Sequence, residues 1–152
     1  MATRSNISLK LVPNDIGTTR MIDLQRIYEI FPNTSTLPSN RFVEVELVKP
    51  YITIYHHWDG YPDGLGQTLL DVLTNYDDIL NVLIGGDCSS INGGIYVPYA
   101  TQDAWYDVKP EFTDTIPVQR QDFLYVFDWN RWWVKAWGEK EFSPLGGEIK
   151  ED

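Results

Sequence analysis

Both histidines of the chain, His56 and His57, stand side by side and are followed at once by Trp58, Asp59, Gly60 and Tyr61. A histidine with a carboxylate two residues on could be a general base and the group that orients it. The same residues could open a metal site, but such a site takes three or four ligands and the chain has no third histidine. Carboxylates would have to complete it. On a strand His56 and His57 point to opposite faces, so a single site cannot use both unless the strand bends. At least one of them is therefore expected to be structural.

The other chemistry-bearing types are weaker signals. Cys88, the single cysteine, follows an apolar helical run and a Gly85-Gly86 stop. A helix C-terminus disfavours a thiolate, so Cys88 reads as a small buried residue. Ser89-Ser90 lacks the nucleophile-elbow pattern. Gly60, Gly64 and Gly66 match neither glycine-rich nucleotide fingerprint, and no Gly-Lys-Ser or Gly-Lys-Thr is present. These glycines permit a sharp strand-to-helix turn, whose free N–H groups could still meet an anion. Trp129, Trp132, Trp133 and Trp137 cluster near the C-terminus. Core and sheet cover is the plain reading of these rings; a stacking surface or an oligomer interface is the sharper one.

The elements that would position these residues follow from periodicity. Residues 5–12 alternate, with Ile7, Leu9 and Leu11 on one side, and read as a strand. Residues 13–41 read as an excursion from the main sheet, with residues 21–31 fitting either strand or helix. Residues 42–48 and 51–57 are strands joined by Lys49-Pro50, an arrangement that suggests antiparallel pairing. Leu65, Leu69, Leu70 and Leu73 fall at helical spacing, placing a first helix at residues 67–75. Asp77-Asp78 opens a second, apolar helix that ends at Gly85-Gly86. Residues 95–97 suit a short strand, and residues 98–115 a polar loop with Trp105 and Tyr106. Residues 123–128 and 132–137 form a hairpin through Trp129-Asn130-Arg131. The expected fold is α+β: an antiparallel sheet of about five strands covered on one face by two short helices. It occupies residues 1–140 as one domain with an insertion at 13–41, and residues 141–152 form a flexible acidic tail.

Composition narrows the function classes. The 152 residues carry a net charge of −10, which argues against general binding to duplex DNA. A small anion held by one or two arginines remains open. With one cysteine no internal disulfide can form. The first residues lack the apolar run of a signal peptide, and no stretch approaches a membrane span, so no membrane partner is expected. No cofactor is indicated.

Thr3-Arg4-Ser5-Asn6-Ile7, the turn His57-Trp58-Asp59-Gly60-Tyr61-Pro62, the following Asp63-Gly64-Leu65-Gly66, the segment Leu83-Ile84-Gly85-Gly86-Asp87-Cys88-Ser89-Ser90-Ile91 and the strand Phe123-Leu124-Tyr125-Val126-Phe127-Asp128 form a set of blocks. They resemble a family of small phage and prophage proteins of unassigned function. The resemblance covers most of the chain as short blocks, and the insertion at 13–41 departs from it. It implies a phage setting, hence the host cytoplasm or a virion, and no particular reaction. By analogy, small phage proteins with polar and aromatic pockets can counter host defence by sequestering a nucleotide signal.

If the first strand lies antiparallel beside residues 51–57, Arg4 comes near His57, Trp58 and Asp59. That corner could take a nucleotide-like ligand: Arg4 for a phosphate, Trp58 or Tyr61 for a base, Asp59 for a ribose hydroxyl or an amine, with Gly60 in the turn. The plain alternative is a structural corner in which Asp59 pairs with Arg4 or caps the next helix. The functional readings are, in order, a non-enzymatic ligand-binding protein, a virion component or inhibitor of a host protein, and a phosphodiesterase or hydrolase using His57 and Asp59.

Overall fold

In the computed structural model, which describes residues 2–35, 41–98 and 109–146, the alternating run near the N-terminus becomes β1, Ser5–Lys10, at the centre of the sheet. On one side it pairs antiparallel with β4, Tyr51–His56, in the register Ser5 to His56 and Ile7 to Ile54. On its other side it pairs parallel with β8, Phe123–Asp128, in the register Ser5 to Phe123 and Ile7 to Tyr125. β8 then forms a hairpin with β9, Arg131–Ala136. Its two-residue turn puts Trp129 and Asn130 at φ of 54° and 59°, the two positive dihedrals that match the twist of the flanking strands.

The chain between these strands supplies the rest. β2, Thr19–Asp23, is followed by a short helix α1, Arg26–Ile30, so the ambiguous stretch holds one element of each kind. β3, Phe42–Glu46, pairs with β2 in a separate two-stranded sheet. After β4 comes a turn of π-helix, Pro62–Gly66, then α2, Gln67–Val72, and α3, Tyr76–Ile84. Asn75 caps α3 by accepting the Asp78 N–H at 2.9 Å. β5, Cys88–Asn92, pairs with β6, Ile95–Pro98, and β7, Glu111–Thr113, pairs with β4. The final strand β10, Ser143–Pro144, pairs with β9, and Leu145 beyond it is buried. Residues 143–145 are thus part of the fold; residues 147–152 of the expected tail lie outside the described residues, as do Trp105 and Tyr106.

The expectation of an antiparallel sheet of about five strands under two helices is overturned. Among the described residues the sheet is mixed and eight-stranded, in the order β10-β9-β8-β1-β4-β5-β6 with β7 also on β4, and it has three short α-helices. Two pairings are parallel, β1 with β8 and β4 with β5. The expected β3–β4 pairing also fails. Leu47 instead continues the β2–β3 ladder, donating to Thr18 O and accepting from the Gly17 N–H, and Pro50 O accepts from the Leu11 N–H. Neither Lys49 nor Pro50 has the positive φ that a two-residue hairpin turn requires.

The registers sort the side chains by face. Ile7, Leu9, Ile52, Ile54, Tyr125, Phe127 and Trp132 share the face on which α3 packs, and all are buried. α3 contributes Ile79, Leu80, Val82, Leu83 and Ile84 to the same core. Each such side chain stabilises the fold by about 1.5–3 kcal/mol relative to exposure. Trp132 donates its ring N–H to Leu73 O at 2.8 Å, tying the hairpin to the end of α2. The opposite face carries Asn6, Ser8, Thr53, Tyr55, Leu124 and Val126. Alternation puts Arg4, Asp122 and Trp137 on that second face as well.

Candidate functional site

The two histidines separate as strand alternation requires. His56 lies on the helix face and is fully buried. Its Nε2 accepts the Ile91 N–H at 3.1 Å, so the proton sits on Nδ1 and faces Ser5 Oγ at 3.3 Å. Burial, with the neighbouring His57 adding to it, pushes its pKa down to about 4. This imidazole is a neutral strut between β1, β4 and β5. His57 lies beyond β4 on the other face. Its Nδ1 is 2.7 Å from the Tyr55 hydroxyl, and its ring meets Trp58 edge-on at 4.7 Å.

Residues 57–61 form a corner built largely by backbone bonds. The Gly60 N–H donates to Thr3 O at 2.9 Å, and Gly60 O accepts the buried Tyr125 hydroxyl at 2.7 Å. Asp59 sits at φ 56°, and its carbonyl accepts the Leu65 N–H at 2.9 Å. Trp58 and Tyr61 are 49% and 40% exposed. The start of β1 does lie against this corner, through Thr3 and Ser5. Arg4, between them, points elsewhere. Among the described residues its side chain makes no ion pair, and the cleft it lines includes none of residues 57–61. Of the six residues singled out in the sequence, His57, Trp58, Asp59, Gly60 and Tyr61 stay together, and Arg4 stands apart from them.

Arg4 lines a cleft of about 530 Å³ with Arg120, Gln121, Asp122 and Trp137. Parallel pairing of β1 with β8 creates it. The Phe123 N–H donates to Arg4 O, the Arg4 N–H donates to the Asp122 carboxylate at 3.2 Å, and the Trp137 N–H donates to Asp122 O at 2.8 Å. The approach to β8 is fixed by Gln119, whose amide nitrogen donates to Gln121 O and Lys135 O, both at 3.1 Å. Arg120 is held by Glu111 at 2.7 Å, which uses one of the five N–H donors of its guanidinium. The cleft thus gathers two guanidinium groups in a chain of net charge −10, Arg120 balanced by Glu111 and Arg4 with no ion pair among the described residues. Trp137, 67% exposed, supplies a ring at its edge.

A second cleft of about 310 Å³ shares Arg120 and Gln121 with the first and continues to Asn6, Tyr55, Asp87 and Lys109. It opens where the edge of β4 changes partner. β7 pairs with Tyr51–Thr53, β5 only with His56, and in between the Tyr55 N–H is met by Asp87 Oδ1 at 2.8 Å. Burial raises the Asp87 carboxyl to about 6, against the lowering effect of that hydrogen bond. Cys88 next to it is buried, and burial pushes its thiol well above the ordinary range. Sequence reasoning missed Arg120, Asp87 and the use of Trp137. No local pattern marks them, because two separate strand pairings bring them together.

Among the described residues no group of three or more His, Cys, Asp or Glu side chains could hold a metal ion. None of their helices is long and apolar enough to cross a membrane. Comparison with protein-family models, with curated proteins and with solved structures gives no match for the chain.

Proposed function

We propose that this chain is a non-enzymatic binding protein that takes a small nucleotide-like anion in the cleft between Arg4 and Arg120, with Trp137 as the stacking surface. The observation that carries this reading is the pairing of two guanidinium groups beside an exposed indole in an otherwise strongly acidic protein. Guanidinium forks suit phosphate oxygens, and an exposed ring suits a base. In the phage setting that the sequence resemblance implies, such binding without turnover sequesters a host signal. The hydrolase reading has less behind it. His57 Nδ1 faces the Tyr55 hydroxyl, and Asp59 serves the corner through its carbonyl.

The test is thermal stability in a nucleotide series. A ligand that binds only the folded state raises Tm, and a hundredfold excess over Kd adds about 2.7 kcal/mol. Arg4→Ala, at an exposed side chain, is expected to leave the Tm of the free protein within about 2 °C and to remove the ligand-induced rise. No rise with any nucleotide at millimolar concentration counts against the proposal.

A protein-binding role is the second reading, favoured by Trp129. That ring is 83% exposed at the hairpin tip, beside an apolar cleft that includes Val12, Pro13, Ile16 and Phe127. Trp129→Ala separates the two readings, since it removes partner capture and leaves the nucleotide response intact.

A further inference from the structure

We infer that the two clefts form one site for a phosphodiester with two organic arms, an aromatic arm stacked on Trp137 and an amine-bearing arm at Asp87, a dinucleotide being the simplest such ligand. This rests on the reading of the Arg4–Arg120 cleft as a phosphate site. The clefts meet at Arg120 and Gln121, which line both. Their contents follow an order across the sheet. Trp137 stands beside Asp122, Asp122 beside Arg4, and two residues further along β1 Asn6 stands opposite Tyr55, whose N–H is bound by Asp87. The sequence of groups is thus ring, guanidinium pair, carboxylate.

From β9 to β4 this order crosses three strand intervals, or about 14 Å at the usual spacing between paired strands. A ligand with its phosphate in the middle of that span needs an arm on either side. A mononucleotide stacked on Trp137 would end at the arginines and leave the Asp87 cleft unfilled.

Asp87 defines the second arm. Oδ1 is taken by the Tyr55 N–H, while Oδ2 has no hydrogen-bond partner among the described residues. The carboxyl is half-buried, and its raised pKa reflects charge that is poorly solvated in the free protein. A donor from the ligand would meet an acceptor that the fold leaves unmet. Exocyclic amines of adenine, guanine or cytosine offer that donor, and a carbonyl at the same position does not. Lys109 and the Glu111–Arg120 pair line the same cleft, so the charged groups around the arm are of both signs.

The test is calorimetric titration of the whole chain at pH 7.5 with adenylyl-adenosine, inosylyl-inosine and adenosine monophosphate. Adenylyl-adenosine is expected to bind about ten-fold more tightly than either of the others. Asp87→Asn keeps an acceptor for the Tyr55 N–H and turns an N–H₂ into the cleft. It is expected to erase the preference for adenylyl-adenosine over inosylyl-inosine, bringing the affinity for the first down to that for the second. Equal binding of all three ligands by the unaltered protein overturns the two-armed site and leaves the phosphate reading standing. Equal binding of the two dinucleotides, both tighter than the mononucleotide, overturns the role of Asp87. Binding of none of them overturns both proposals.

Discussion

His56→Leu is expected to lower stability by about 2–4 kcal/mol at pH 7.5, read as a shift of the urea midpoint at constant slope. The Ile91 N–H loses its only acceptor on β4, and Ser5 Oγ loses the ring nitrogen it faces. β5 has little else to hold it to β4, because that pairing has a single register position, His56 to Cys88, besides the donations of the His57 and Trp58 N–H groups to Cys88 O and Ser89 O. A buried amide left without a partner costs more than the hydrogen bond was worth. His56→Gln, which can present an amide oxygen to Ile91, is expected to cost about half as much.

The same residue sets an acid limb. Its pKa in the fold is about 4, below the ordinary 6.5, so the unfolded chain takes up the proton first as pH falls. Stability from this group is complete above pH 6.5 and is lost between 6.5 and 4, by about 3 kcal/mol in all. Asp87 works in the opposite sense. Its folded pKa of about 6 lies above the ordinary 3.8, so the folded state takes up that proton first, and stability rises as pH falls from 6 towards 3.8. The gain at Asp87, which is only half-buried and screened by solvent, offsets part of that loss, so the unaltered protein should lose less stability between pH 6 and 4 than His56 alone would cost. Asp87→Asn should expose the full acid loss of His56, and His56→Gln should become more stable on acidification over the same interval. Asp23, held low chiefly by its hydrogen bonds to Arg41, loses its contribution only below its ordinary value of 3.8 and lies outside this window. Identical pH profiles for the three proteins would show that neither group titrates as stated.

Much of this was legible in the chain, for reasons that differ by element. β1 and β4 alternate with an apolar face on the core, while β8 and α3 are short, continuously buried runs closed by turn residues, and all four lie within two residues of where those patterns put them. The opposite orientations of His56 and His57 came from the same rule. What the local pattern cannot hold is which strand lies next to which. Phe123–Asp128 sits parallel to the first strand, across more than a hundred residues of sequence, and nothing in either segment records that choice. Polar positions misled in the same way. Asn6, Ser8 and Thr53 alternate as a solvent face would, yet all are buried, and Thr53 donates to Ser8 Oγ at 3.0 Å. The consequence for the site is direct. The strand register sets Arg4 opposite the end of β4, but the approach to β8 brings Arg120 and Asp122 to its other flank, so its side chain lines a different cleft from the one that the turn suggests.

Gly60→Ala is the second substitution with a large expected effect, and it tests how the corner and the cleft are joined. Its φ is unremarkable, so the requirement for glycine is one of space. A Cβ there would lie 2.7 Å from Ser5 Oγ, 2.8 Å from Thr3 O and 2.9 Å from Ser5 Cβ. Two of these atoms belong to the strut contact with His56, and the third is the backbone oxygen that the Gly60 N–H itself binds. Either the first strand moves away, or the turn does and gives up the Tyr125 hydroxyl on Gly60 O. Forcing even one methyl into such a place costs about 1–3 kcal/mol, or roughly 3–10 °C in Tm for a chain of this length. Gly93→Ala is the control, because nothing lies within 4 Å of a Cβ at that position and its φ is not positive. Adding Ser5→Gly to Gly60→Ala removes two of the three clashes and should restore part of the loss, a coupling that a double-mutant cycle measures. Because Arg4 sits between the two displaced residues, Gly60→Ala should also weaken nucleotide binding, although Gly60 does not line the cleft. A Gly60→Ala protein that melts with the Gly93→Ala control would mean that the start of β1 is free to yield, and that the corner does not fix the position of Arg4.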